Sequence, residues 1–119
     1  MKENIVREKS MLFAIRIVNL YKFLCEKKEY VLSKQILKAG TSIGANLAEA
    51  DSAISKKDFL AKVYISLKEC AETGYWLELL QKTDFITKNE FESISADREE
   101  LFKILTAITK TTRERMANG

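Results

Sequence analysis

The chain has 119 residues and a hydrophobic fraction of 46%, the size and apolar content of one folded domain spanning 1–119. It has no proline and no histidine, which argues against a β-rich fold with its turn residues and removes every nucleophile or base that depends on an imidazole. The net charge of +3 is uneven: residues 1–40 hold nine Lys/Arg against four Asp/Glu, so the first third favours phosphate partners.

The first predicted helix runs from about Ser10 to Lys27, with a start as early as Asn4 left open. Met11, Ala14, Ile15, Val18, Tyr21 and Cys25 form one stripe at three/four spacing, and Phe13, Ile17, Leu20 and Leu24 form a second beside it. Together they exceed the arc, a little over 100°, that one core needs. The surplus predicts a second buried contact, most simply with another copy of the chain. Which stripe turns inward is open at this point; Phe13, Ile17, Leu20 and Leu24 are taken as the interface candidates.

The second helix follows a charged turn through Lys27, Lys28 and Glu29, with Ser33 as its expected N-cap. Ile36, Ala39, Ile43, Leu47, Ala50 and Ile54 are its expected core face. Gly40, Gly44 and Ala48 draw a bare strip on its flank. An internal Gly costs about 0.5–1 kcal/mol against Ala, so two of them predict close approach by a neighbouring helix. Gln35, Lys38, Ser42, Asn46 and Glu49 make a polar outer strip.

The third helix opens at Ser55 with Asp58 three residues on, near the pattern of a capping box, and continues to about Lys82. Leu60, Val63, Leu67, Cys70, Gly74 and Leu77 form its core stripe; Gly74, beside Trp76, leaves room for a bulky neighbour. The fourth starts at Thr87 and Glu90, a full capping box, and frays near Arg113. Phe91, Ile94, Leu101, Phe102, Leu105, Ile108 and Thr112 mark its inner face. Two charges fall on apolar stripes, Glu78 and Arg98, and an ion pair of Arg98 with Glu72 or Glu78 is expected because a buried charge needs a partner. Four helices joined by short turns predict an all-α, up-down-up-down antiparallel four-helix bundle.

Few chemistries remain. Cys25 and Cys70 are far apart on apolar stripes, as buried small hydrophobes are. Without histidine or a cysteine pair no metal ligands are expected, and no catalytic residue, cofactor or small-molecule substrate site is evident. Neither a signal peptide nor a run of membrane-spanning length is visible, so the expected compartment is the cytoplasm.

Several spaced strings match in order: Val31 to Leu37, Gly40 to Ala50, Ser55 to Phe59, and Leu67 to Leu80 with its Tyr75, Trp76 and Leu77. With Ala14 to Val18 of the first helix, they closely resemble the bacterial four-helix-bundle proteins encoded by intervening sequences in large-subunit ribosomal RNA genes, often labelled ribosomal proteins. A more distant resemblance is to the accessory variability determinant protein of diversity-generating retroelements, a pentameric barrel of four-helix bundles that binds a reverse transcriptase and nucleic acid. The resemblance covers nearly the whole chain. It implies the bundle, a homo-oligomeric ring of five subunits and no catalytic activity. Gly74 departs from the larger or charged residue expected there.

Together with the basic first third, this resemblance leads to an expected function. The chain is a non-enzymatic oligomeric scaffold binding structured RNA, ribosomal RNA being the first candidate, or a nucleoprotein partner. Arg16, Lys22, Lys27, Lys28, Lys34 and Lys38 are the expected phosphate contacts. The alternative is a protein–protein adaptor with no nucleic-acid binding, docking through the polar strip of the second helix.

Overall fold

The computed structural model describes residues 2–119, which form four helices: α1 (Lys2–Glu26), α2 (Leu32–Ala50), α3 (Lys56–Lys82) and α4 (Lys88–Asn118). There is no strand among the described residues. The helices pack in a cycle, α1 on α2, α2 on α3, α3 on α4 and α4 on α1, with no diagonal pair in contact among the described residues. The resulting body is 51 × 22 × 19 Å. Among the described residues no helix is long and apolar enough to cross a membrane.

Helix α1 starts eight residues before Ser10, because the inward row continues backwards through buried Val6 and Ser10. The Ser10 hydroxyl donates to the Arg7 carbonyl at 2.8 Å, within the helix. Ser33, the expected N-cap of α2, is no cap. It is buried one residue inside α2, and its N–H donates to Glu29 Oε1 at 2.7 Å while Val31 N–H reaches Glu29 Oε2 at 3.3 Å. Glu29 thus caps α2 from the turn. The starts of α3 and α4 follow the sequence: Ser55 Oγ accepts from Asp58 N–H at 3.0 Å, and Thr87 and Glu90 form the reciprocal capping box. Helix α4 continues past Arg113 to Asn118.

The core joins Phe13, Ile17 and Leu24 of α1, Ile36, Ile43 and Leu47 of α2, Val63, Cys70, Leu77 and Leu80 of α3, and Ile94, Leu101, Leu105 and Ile108 of α4. Two of the polar residues inside it are satisfied by carbonyls, Ser66 Oγ donating to Ile43 O and Thr73 Oγ1 to Glu69 O, both at 2.8 Å, whereas Ser33 Oγ and Arg98 Nε are buried without a hydrogen-bond partner among the described residues. Ile54 is not core. At 95% exposure it stands in the α2–α3 turn, because α2 ends at Ala50 and the helical period does not reach it.

Candidate nucleic-acid interface

Two local motifs build the end of the molecule where α1 hands over to α2. Lys28 has a φ of 64°, Lys28 N–H bonds Cys25 O and Glu29 N–H bonds Leu24 O, both at 2.9 Å. This is a Schellman closure with a lysine where glycine is usual. It turns the chain sharply and leaves Lys27 and Lys28 exposed at the corner. Burial works against the Glu29 carboxylate, but the backbone N–H groups of Ser33, Leu32 and Val31 outweigh it and hold the carboxyl below the usual range. The turn is therefore fixed by a charged residue that faces inward along the backbone.

Around it stand Lys22, one turn back on α1, and Lys34 and Lys38, on successive turns of α2, all exposed. Lys27 Nζ lies 5.5 Å from the Phe23 ring centroid, a cation–π distance. Among the described residues none of these five lysines is in an ion pair. Their ammonium groups are available to phosphate oxygens.

Arg16 does not join them. Its guanidinium is held by α4, with Nη1 donating to Asp97 Oδ2 at 2.7 Å and to Ser93 O at 3.3 Å, and Nη2 to Ser93 Oγ at 3.0 Å. The position lies between the inward stripe and the solvent face, where a long side chain reaches the neighbouring helix. A Ser/Asp pair four residues apart in α4 was the available signal.

The interface candidates are placed otherwise. Phe13, Ile17 and Leu24 are 0–1% exposed within one chain, and Leu20 is half-buried against the same core. Of the other stripe, Met11 (63%) and Ile15 (49%) are exposed, as is the neighbouring Leu12 (64%), while Ala14, Val18, Tyr21 and Cys25 are half-buried. The stripe holding Phe13 also carries Val6 and Leu24, so turning it inward removes more apolar area from water. Beside the exposed side chains runs a groove of about 480 Å³ between α1 and α2, lined by Met11, Ala14, Gly44, Ala45 and Ala48.

The small-residue strip splits along its length. A Cβ on Gly40 would lie 2.6 Å from Ile17 Cγ1, and one on Gly44 would lie 3.2 Å from Ser10 Oγ. Ala48 is exposed and lines the groove instead. The expected ion pair of Arg98 with Glu72 or Glu78 is absent among the described residues. Arg98 lies over Gly74, whose added Cβ would come within 2.8 Å of Arg98 Cζ, and Nη1 donates to Cys70 O at 3.3 Å. Glu78 pairs with Lys82 at 3.1 Å, and Glu72 accepts from Trp76 Nε1 at 3.4 Å. A backbone carbonyl replaces the carboxylate because the glycine notch lets the guanidinium lie flat on α3.

No group of three or more metal-ligating side chains occurs among the described residues. Burial pushes the Cys70 thiol up to about 11 despite the Arg98 cation beside it, so it is neutral at physiological pH. What the basic end can do chemically is hold phosphates.

The family model described as 23S rRNA-intervening sequence protein matches residues 2–107. A solved structure from Bacteroides thetaiotaomicron, of a protein of unknown function from the S23 ribosomal protein family, is 58% identical with a TM-score of 0.91. The match covers 92% of this chain and 99% of that one. No curated protein matches.

Proposed function

We infer that this chain, which belongs to the 23S rRNA-intervening sequence protein family, is a non-enzymatic scaffold that binds structured RNA through the α1–α2 end. The observation that carries the reading is the set of five exposed lysines, Lys22, Lys27, Lys28, Lys34 and Lys38, at that end, outside any ion pair among the described residues. Ribosomal RNA is the first candidate ligand, given the family description.

The proposed scaffold is a single-domain antiparallel, up-down-up-down bundle. Supporting it, Ile17 meets Gly40, Ser10 meets Gly44 and Arg7 pairs with Asp51; Lys62 pairs with Glu49 while Ser66 meets Ile43; Lys9 pairs with Glu100 and Arg16 with Asp97. In each set the numbers rise along one helix as they fall along the other. We further propose a homo-oligomeric ring, five subunits by family resemblance, whose contact uses the exposed Met11, Leu12 and Ile15. The proposed setting is cytoplasmic, with no cofactor, metal or small-molecule substrate.

Affinity purification from the native host, with and without nuclease, tests the function. RNA recovered reproducibly and lost with nuclease is the expected result. One stoichiometric protein that survives nuclease, with no RNA enriched, would overturn it in favour of a protein–protein adaptor.

A further inference from the structure

We propose that the groove between α1 and the first two turns of α4 is a subsite for one unpaired adenine base of RNA. This rests on the RNA-binding reading and adds base recognition to it. The groove holds about 540 Å³, inside the range of roughly 300–1,000 Å³ usual for small-ligand sites. Leu20, Phe23 and Ile94 supply its apolar lining, and Asn19, Asn89 and Ser93 supply polar groups.

Unpaired RNA bases are recognised by stacking on aromatic rings and by hydrogen bonds to their edges. Half-buried Phe23 offers the ring. Phe23 packs against the core and Lys27 Nζ lies over its ring, 5.5 Å from the centroid, so a base taking the ring face displaces the ammonium toward its own phosphate. Exposed Lys22 neighbours Phe23 in the chain and extends the same basic rim. The groove therefore opens directly onto the proposed phosphate-binding end, and a nucleotide can engage both at once.

The edge chemistry selects the base. An Asn amide matches the N6 donor and N7 acceptor of adenine, whereas guanine is read through O6 and N7 by Arg or Lys. The guanidinium lining this groove, Arg16, is already held by Asp97 at 2.7 Å and by Ser93 Oγ at 3.0 Å. The Asn19 and Asn89 side chains are exposed. The acid lining the groove, Glu90, is engaged by Thr87 N–H at 2.7 Å in the α4 capping box, and the Lys27 charge helps hold its carboxyl low. With the arginine committed to α4 and the rim lysines Lys22 and Lys27 assigned to phosphate in this reading, the two exposed amides are left to read the base edge, and adenine is the better fit.

Two measurements test this. In 15N TROSY spectra, millimolar AMP should shift the amide signals of Asn19, Phe23, Asn89 and Ser93, with GMP and UMP moving them less. Asn89→Ala and Phe23→Leu should each weaken the AMP response several-fold while leaving the remaining spectrum in place. In fluorescence anisotropy, a ribosomal RNA hairpin with a single bulged adenine should bind about tenfold more tightly than the same hairpin with an abasic bulge. Equal affinity for the two hairpins, with no local AMP response, would overturn the subsite and leave RNA binding intact. Local AMP shifts with neither hairpin bound would support the subsite and sink the RNA reading. Movement of the same signals on diluting the protein, with none on adding AMP, would give the groove to a second copy of the chain and overturn the proposal.

Discussion

Gly40 and Gly74 look alike in the sequence, each a glycine inside a helix, yet they accommodate different neighbours. A Cβ at Gly40 meets the side chain of Ile17, which is fully buried and cannot retreat. Gly40→Ala should lower stability by about 1–3 kcal/mol, as overpacking does, in spite of the better helix propensity of alanine. A Cβ at Gly74 meets the far end of Arg98, which can swing to solvent at the loss of its bond to Cys70 O. Gly74→Ala should stay within about 1 kcal/mol of the parent, since propensity gain and bond loss are of similar size. Denaturant unfolding of the pair checks this; equal losses would contradict the assignment. The sequence announced both glycines as places of close approach. It did not reveal that the bulky neighbour at Gly74 is Arg98, because spacing along α4 predicts a level on the facing helix and not which side chain bends across. Lys28 belongs to the same scale. Its φ of 64° suits glycine better than lysine, so Lys28→Gly should raise the melting temperature by a few degrees. If Lys28 also contacts phosphate, the same variant should bind RNA less well, a gain in stability with a loss in affinity.

At the scale of elements, the Ser55 cap of α3 and the capping box of α4 were legible because they depend on side chains three residues apart. The cap of α2 was not. Glu29 reaches over a turn whose lysine adopts the left-handed conformation, and nothing local in the sequence announces that geometry. This cap carries a pH signature. Glu29 is opposed by burial, yet its bonds from Ser33, Leu32 and Val31 N–H lower its carboxyl; Glu90 is lowered first by Thr87 N–H and the Thr87 hydroxyl. A carboxyl depressed on folding contributes stability above its unfolded value, and that contribution is lost as pH falls through the folded one. Thermal melts should therefore weaken on descending below the ordinary glutamate range, and Glu29→Gln should flatten that acid limb. An unchanged limb would show that the carboxylate does not hold the turn. Helix α1 gives the other lesson. Its two apolar stripes were visible, but the choice between them depends on how many long side chains each contributes when the helix is extended back to Val6. The early start of the helix was what made the choice.

For the whole molecule, the exposed apolar side chains of α1 support the proposed assembly. Met11, Leu12 and Ile15 together expose apolar surface next to a groove of about 480 Å³, and contiguous patches of this kind mark interfaces. Light scattering should give a mass several times the 13.6 kDa chain. Met11→Glu with Ile15→Glu should lower it while circular dichroism stays helical. The corresponding change at Ile17 would place a charge in the core and unfold the chain, so it cannot report on assembly. A helical monomer at micromolar concentration in the parent would rule out the ring.

The central claim, RNA held by the lysines of the α1–α2 end, is tested most directly by the salt dependence of binding. Fluorescence anisotropy with a structured ribosomal RNA fragment, repeated over a salt series, gives the slope of log affinity against log salt. The parent should bind at low salt and weaken steeply as salt rises. Each of Lys27→Ala, Lys28→Ala and Lys34→Ala should flatten the slope by about one unit, while Arg16→Ala, whose guanidinium is committed to α4, should leave it unchanged. Absence of binding at low salt, or a slope indifferent to all three lysines, would contradict the account.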